Sequence, residues 1–236
     1  IKIKKNKSTK TISLNGQKNL KGFNLNVPGD PSSAAPFVIL TLLTKNSKLK
    51  IKNVNCNKTR MGFINILKKM KANIKISNIK KISNELVGDI IIKSSNLKPI
   101  NCSKNLVPSA IDEFPLLFIA SSITKGISKF NGIAELRNKE SDRIKHIEEG
   151  LNKIGIKTKS SKDSLKIFGN PNIKIKKNLK IHSKDDHRIA IAFFCLAQLL
   201  TGKVEINNFQ TVNTSFPKFL LTMKKIGAKF EIKKKY

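Results

Sequence analysis

The 236 residues include no tryptophan, one tyrosine, three cysteines and three histidines. Each scarcity removes a class of explanation. Cys56, Cys102 and Cys195 are far apart, odd in number and without a C-x-x-C pair. They predict free thiols in a reducing, cytoplasmic setting, buried as small apolar side chains, rather than a disulfide framework. With so few histidines and no cysteine pair, no metal site is expected. Long apolar runs are missing too: the longest, around 37–43 and 189–200, fall short of the ~20 residues that cross a bilayer. The chain opens IKIKKNKSTK, without the apolar segment of a secretory signal and without an initiator Met, so the expected setting is the interior of a longer protein. Acids are scarce as well, 15 against 47 Lys and Arg, giving a net charge of +32. Charge of that size attracts nucleic acid, anionic membranes or phosphorylated small molecules. The lysines, however, are spread along the chain beside Asn and Ile, with no RNP-like aromatic motif and no zinc-finger spacing. They read as solvated faces, and neither a nucleic-acid nor a membrane partner is expected.

What the chain does have is a repeat. LKKMKANIKI (67–76), LNKIGIKTKS (151–160) and MKKIGAKFEI (223–232) each read as a helix end, a Gly or Lys stop and the start of an alternating strand. Leu67, Leu151 and Met223 correspond, 84 and then 72 residues apart. In phase with them, LKIKNV (49–54), SKFNGI (128–133) and VEINNF (204–209) alternate as half-buried strands do. Each follows an apolar segment expected to be a buried helix, over 33–43, 111–123 and 187–200, with Gly126 and Gly202 as helix stops. A second helix per unit is amphipathic, carried by Ile66, Leu67 and Met70, by Ile144, Ile147, Leu151 and Ile154, and by Phe219, Leu220, Met223 and Ile226. Three such units of roughly 75–80 residues predict one α/β domain of pseudo-threefold symmetry, with buried helices inside and sheets outside. Residues 1–29 stand apart. KTISLNG (10–16) and KGFNLNV (21–27) read as two strands, closed by the break PGDP (28–31). A boundary is expected near Gly29: residues 1–29 as trailing strands and hinge of a mostly absent N-terminal domain, residues 30–236 as the repeat domain.

Chemistry collects at the helix starts. KESDRI (139–144) puts Lys139 and Arg143 into the first turn of an amphipathic helix, and DDHRIA (185–190) puts His187 and Arg188 at the start of an apolar one. Helix N-termini favour anions, so cations there ask for an anionic ligand. Three units packed side by side would bring these starts to one end, gathering Asp112 (from PSAIDEFP, 108–115), Lys139, Glu140, Arg143, His187 and Arg188. Two arginines, a lysine and a histidine suit a small, multiply anionic ligand gripped through paired hydrogen bonds. Asp112 and Glu140 are then placed to move protons beside those cations. Plainer readings stay open for single residues: Asp112, Asp142, Asp185 and Asp186 as N-caps, Arg143 and Arg188 as surface ion pairs, His187 as a structural histidine.

VPGDPSSAAPF (27–37), PSAIDEFPLL (108–117), AELRNKESDRI (134–144), DDHRIAIAFF (185–194) and VNTSFPKFLLTMKKIGAKFEI (212–232) resemble, in order and spacing, the C-terminal domain of the 5-enolpyruvylshikimate-3-phosphate synthase family. The resemblance covers essentially residues 20–236. It implies an enolpyruvyltransferase-like, inside-out α/β barrel in which each of two domains holds three repeats and the active site lies in the cleft between them. It implies a shikimate-pathway reaction: the enolpyruvyl group of phosphoenolpyruvate passes to the 5-hydroxyl of shikimate 3-phosphate and phosphate is released, with no metal or organic cofactor. By motif position, Asp112 resembles the acid that deprotonates the attacking hydroxyl and Glu140 the group that exchanges a proton with the C3 methylene of phosphoenolpyruvate. Arg143 and Arg188 resemble its anion clamps, with His187 beside them, and Lys139 a contact to shikimate 3-phosphate or the tetrahedral intermediate. Where some family members carry Lys, Thr214 precedes Ser215-Phe216-Pro217, which together with GDPSS is similar to the glyphosate-tolerant branch. The family's N-terminal half has no counterpart in these residues, so the chain is expected to be half an enzyme, inactive alone, and part of a monomer at full length. Two alternatives remain at this point: the sister transferase acting on UDP-N-acetylglucosamine, and a non-catalytic basic binding module.

Overall fold

The computed structural model describes residues 2–6, 9–16, 19, 21–175 and 178–233. A hairpin comes first, β1 (Lys2–Lys5) antiparallel to β2 (Lys10–Ser13). The first unit follows as α1 (Pro31–Leu43), β3 (Lys48–Asn55), α2 (Gly62–Lys69), β4 (Asn73–Ile82) and β5 (Glu85–Lys93). The second is β6 (Asn101–Cys102), α3 (Phe114–Ser122), β7 (Gly126–Asn131), α4 (Arg143–Ile154), β8 (Thr158–Ser160) and β9 (Ser164–Gly169). The third is β10 (Leu179–His182), α5 (His187–Leu199), β11 (Val204–Asn207) and α6 (Phe219–Lys225).

The three apolar helices α1, α3 and α5 pack on one another and form the centre. Their residues are buried almost all round, as in α3, where every position from Phe114 to Ser122 is shielded. A helix apolar on all faces can only sit inside a shell, and the shell here is sheets and amphipathic helices. Each amphipathic helix turns one stripe inward: α2 packs against α3, and α4 against α3 and α5. Phe219 of α6 lies 5.2 Å from Phe194 of α5 and 6.5 Å from Phe37 of α1, closing the ring of units. At Gly150, α4 comes so near α5 that an added Cβ would lie 2.0 Å from Phe193 Cζ.

The sheets repeat the same order. In the second unit they run β6-β7-β9-β8, with β6 parallel to β7. The first unit gives β3-β5-β4, and a lone parallel bridge from Gly29 to Val54 of β3 stands where β6 stands in the second. The third gives only the parallel pair β10-β11 among the described residues. The strand expected after α6 is absent: residues 228–233 run without regular structure, held by the Gln198 amide, which exchanges two hydrogen bonds of 3.0 Å with the Lys229 backbone. The strand expected over 21–27 is absent too. Its alternation is real, but an exposed segment with no neighbouring strand among the described residues has no ladder to join. The first strand pair therefore falls at 2–5 and 10–13. The helix expected over 111–123 begins as a 3-10 turn (Ile111–Glu113), and Gly126 and Gly202 lie three to four residues past the helix ends, at φ 118°.

The three helix ends singled out by the repeat share one cap. Ala72, Ile156 and Ala228 donate their N–H to Leu67, Leu151 and Met223 respectively, closing the same six-residue turn, and all three acceptors are fully buried. The residue between, Lys71, Gly155 or Gly227, has φ of 69°, 92° or 93°. Of these three turns, only the first places a side chain in the left-handed region. Lys71→Gly is expected to raise stability by about 0.5–1 kcal/mol in urea unfolding, because the strain on Cβ is relieved. A loss of stability would show that the lysine stem contributes more by packing than the strain costs.

Candidate active site at the helix starts

Seven of the fifteen acids lie in one region: Asp30, Asp112, Glu113, Glu135, Glu140 and Asp186 are linked through shared cations and Ser32, and Asp142 pairs with Arg137 beside them. The centre of the region is Arg143, the first residue of α4, whose side chain is only 1% exposed. The guanidinium donates from Nε to Asp186 Oδ2 at 2.9 Å, from Nη2 to Glu140 Oε2 at 2.5 Å and from Nη1 to Asp112 Oδ1 at 3.4 Å. A buried cation needs such partners, since its loss of hydration costs several kcal/mol. The resemblance makes Arg143 an anion clamp; in this structure all its donor edges face carboxylates of the chain itself.

Asp186 is fully buried and has two duties. It accepts from the Arg188 backbone N–H at 2.8 Å as N-cap of α5, and from Ser141 Oγ at 3.0 Å. Burial alone would push its carboxyl up, but Arg143, the backbone N–H and Ser141 together hold it below the usual range. Asp142 caps α4 through the Lys145 N–H at 2.9 Å and pairs with Arg137 at 2.8 Å. The cap reading is right for these two. It is not right for Asp112, which accepts no backbone bond in its 3-10 turn, nor for Asp185, which has φ 57° and accepts from Asn208. Asp112 instead faces cations, Arg143 at 3.4 Å, Lys139 at 3.9 Å and Arg188 at 4.0 Å.

Five of the six residues thus converge in direct contact, and His187 adjoins them at the first position of α5. Its imidazole is held below the ordinary histidine value by burial and by the charge of Arg188, against the opposing pull of Asp186 and Glu140. Lys139 (22% exposed), Arg188 (18%) and Glu140 (51%) remain open to solvent. One hollow, lined by Val27–Pro31, Asn55, Arg60 and Glu85, adjoins the region through Asp30 and Arg60; another is lined by His146, Gly150, Ile181 and His182 among others. With the Asp112 side chain 39% and that of Glu140 51% exposed, the cluster opens to solvent. Thr214 is exposed and donates to Thr211 O.

Glu113, an acid at the start of an apolar helix, was not among the expected site residues. It is buried, accepts from Ser32 Oγ at 2.5 Å and lies 3.6 Å from Arg188 Nη1. Ser32 in turn accepts from Arg60 Nη2 at 2.9 Å, which also reaches Asp30 at 3.0 Å. A carboxylate directly ahead of the uniformly apolar FPLLFIA was the signal that it would be drawn inside.

A profile of the EPSP synthase (3-phosphoshikimate 1-carboxyvinyltransferase) family matches residues 1–223. The 3-phosphoshikimate 1-carboxyvinyltransferase of Petrotoga mobilis is 44% identical over 217 residues, 92% of this chain and 50% of its own length. The solved EPSP synthase of Acinetobacter baumannii superposes with a TM-score of 0.89 at 37% identity, over 99% of this chain and 53% of its own. The enolpyruvyl transferase NikO of Streptomyces tendae, at 13% identity and a TM-score of 0.65 over 84% of this chain and 43% of its own, shares the fold. The chain spans about half the length of the curated relatives it matches. Among the described residues, no helix is long and apolar enough to cross a membrane.

Proposed function

The chain belongs to the EPSP synthase family, and from that premise we propose that it supplies the C-terminal half of a 3-phosphoshikimate 1-carboxyvinyltransferase. Its substrates are phosphoenolpyruvate and shikimate 3-phosphate. The observation that carries this reading is the pair of acids, Asp112 and Glu140, seated on one buried guanidinium with Arg188 and Lys139 alongside.

In the proposed reaction, Asp112 takes the proton of the 5-hydroxyl as its oxygen bonds to C2 of phosphoenolpyruvate, while Glu140 delivers a proton to C3. The resulting tetrahedral centre carries phosphate on C2. Removal of a C3 proton by Glu140 then reforms the double bond, breaks the C2–O bond and releases phosphate. Arg188 and Lys139 hold the phosphate and carboxylate charges, which develop in a site where fixed cations need no reorganisation. Residues 30–236 form one wall of the cleft, and residues 1–29 lead to the other. The exposure of Glu140 to solvent supports this half-cleft reading. A cytoplasmic, monomeric full-length enzyme goes with it. No observation favours UDP-N-acetylglucosamine as acceptor, and retention of both acids and both arginines speaks against a binding module.

The test is phosphate release from the parent protein, read from its initiator Met, beside the 236-residue chain. Turnover that needs both substrates is expected in the long form alone. Turnover by the short chain above its Glu140→Ala control would refute the half-enzyme reading, and silence of the long form would refute the synthase.

A further inference from the structure

We propose that Glu113 is the positioning residue of Arg188, and that Ser32 and Arg60 hold Glu113 in place from the first repeat. The inference rests on the reading of Arg188 as an anion clamp. Glu113 ends the 3-10 turn that carries Asp112, yet its side chain turns away from the open face and is 4% exposed. Burying a carboxylate is unfavourable by several kcal/mol unless its lone pairs are met. As a helix-start acid it makes no cap hydrogen bond to α3, so the macrodipole alone does not account for its place. What it meets is a hydroxyl on one side and a guanidinium on the other: Ser32 at 2.5 Å and Arg188 Nη1 at 3.6 Å, both approaching Oε1.

The three partners come from three repeats. Ser32 is the second residue of α1, Glu113 precedes α3, and Arg188 is the second residue of α5. Arg60 completes the line by donating to Ser32 and to Asp30, the N-cap of α1, which directly follows Gly29. Among the described residues Glu113 is the acid nearest Arg188, with Asp112 next at 4.0 Å, so Glu113 fixes which edge of the guanidinium faces solvent. Burial raises the Glu113 carboxyl, so its charge is the less secure part of what it offers. Acceptance by Oε1 is the secure part, and glutamine preserves it.

Two variants and two measurements test this. In the parent protein, Glu113→Ala is expected to raise KM for phosphoenolpyruvate about tenfold, leaving KM for shikimate 3-phosphate within about twofold, as misplacement of one clamp predicts. Glu113→Gln is expected to restore the wild-type value to within about threefold, because Oε1 still accepts from Ser32 and Arg188. In the 236-residue chain, titration with inorganic phosphate is followed on the Arg188 Nε–H resonance. Glu113→Ala is expected to weaken binding about tenfold and Glu113→Gln by no more than about threefold. A purely structural Glu113 would lower the unfolding midpoint and leave both phosphate affinity and the ratio of the two KM values unchanged, which overturns the proposal. An inactive wild-type parent with the phosphate pattern intact would remove the synthase reading and leave the positioning role standing.

Discussion

Arg143→Ala is expected to destabilise the chain by about 3–5 kcal/mol in urea unfolding, the cost of leaving a buried carboxylate without its cation. The orphan is Asp186, fully shielded and bonded to Arg143 Nε at 2.9 Å. The substitution also empties the volume of the largest fully buried side chain among the described residues. Arg137→Ala is the control. Arg137 donates to the Ser161 and Lys162 carbonyls and pairs with Asp142, but the pair is about a quarter exposed on both sides, so a smaller loss of about 1–2 kcal/mol is expected. Changing Asp186 to Asn in an Arg143→Met background should recover part of the stability, because the orphaned charge is gone and the amide still caps α5. The pH dependence follows from the same pair. The Asp186 carboxyl lies below its unfolded value, so its contribution is complete above the ordinary aspartate range and is lost as pH falls through the folded value. Arg143→Ala should remove that part of the acid limb. A loss under about 1 kcal/mol for Arg143→Ala would mean that the cluster is not held by this cation.

Glu140→Gln in the parent protein is expected to lower kcat by about 10²–10⁴, the usual span for a positioned acid–base group. Stability should change by no more than about 1 kcal/mol, because Glu140 is 51% exposed and its amide can still accept from Arg143. The same variant should stop deuterium from entering the C3 methylene of phosphoenolpyruvate in D2O. That readout separates Glu140 from a group that merely binds. A kcat within about threefold of wild type would remove Glu140 from the chemistry.

The repeat was legible because it is written in backbone chemistry. Leu67, Leu151 and Met223 could be aligned from the sequence, and each proves to be the buried acceptor of the same helix-ending turn. The buried helices were legible from apolar runs too continuous for a half-exposed helix. Two strands were misread, over 21–27 and after α6, because alternation reports which faces differ and not whether a neighbouring strand exists. The site residues could be named from their motifs, but not their arrangement. On a helical wheel Arg143 is a first-turn cation like any other. Its burial depends on Asp186, 43 residues away, and on a glycine that lets α4 settle against Phe193. Glu113 was legible only as an acid next to an apolar run, since Ser32 and Arg188 come from other repeats.

The seven acids of the region face five cations: Arg60, Arg137, Lys139, Arg143 and Arg188. A protein of net charge +32 thus gathers nearly half of its few acids, paired with cations, at the place where the proposed reading seats polyanionic ligands. Binding there is an ion exchange: each incoming phosphate or carboxylate oxygen takes over a cation that a side-chain carboxylate must give up. Because each new ion pair formed with a substrate replaces one already present in the empty site, binding should weaken less with added salt than the net charge of the chain suggests.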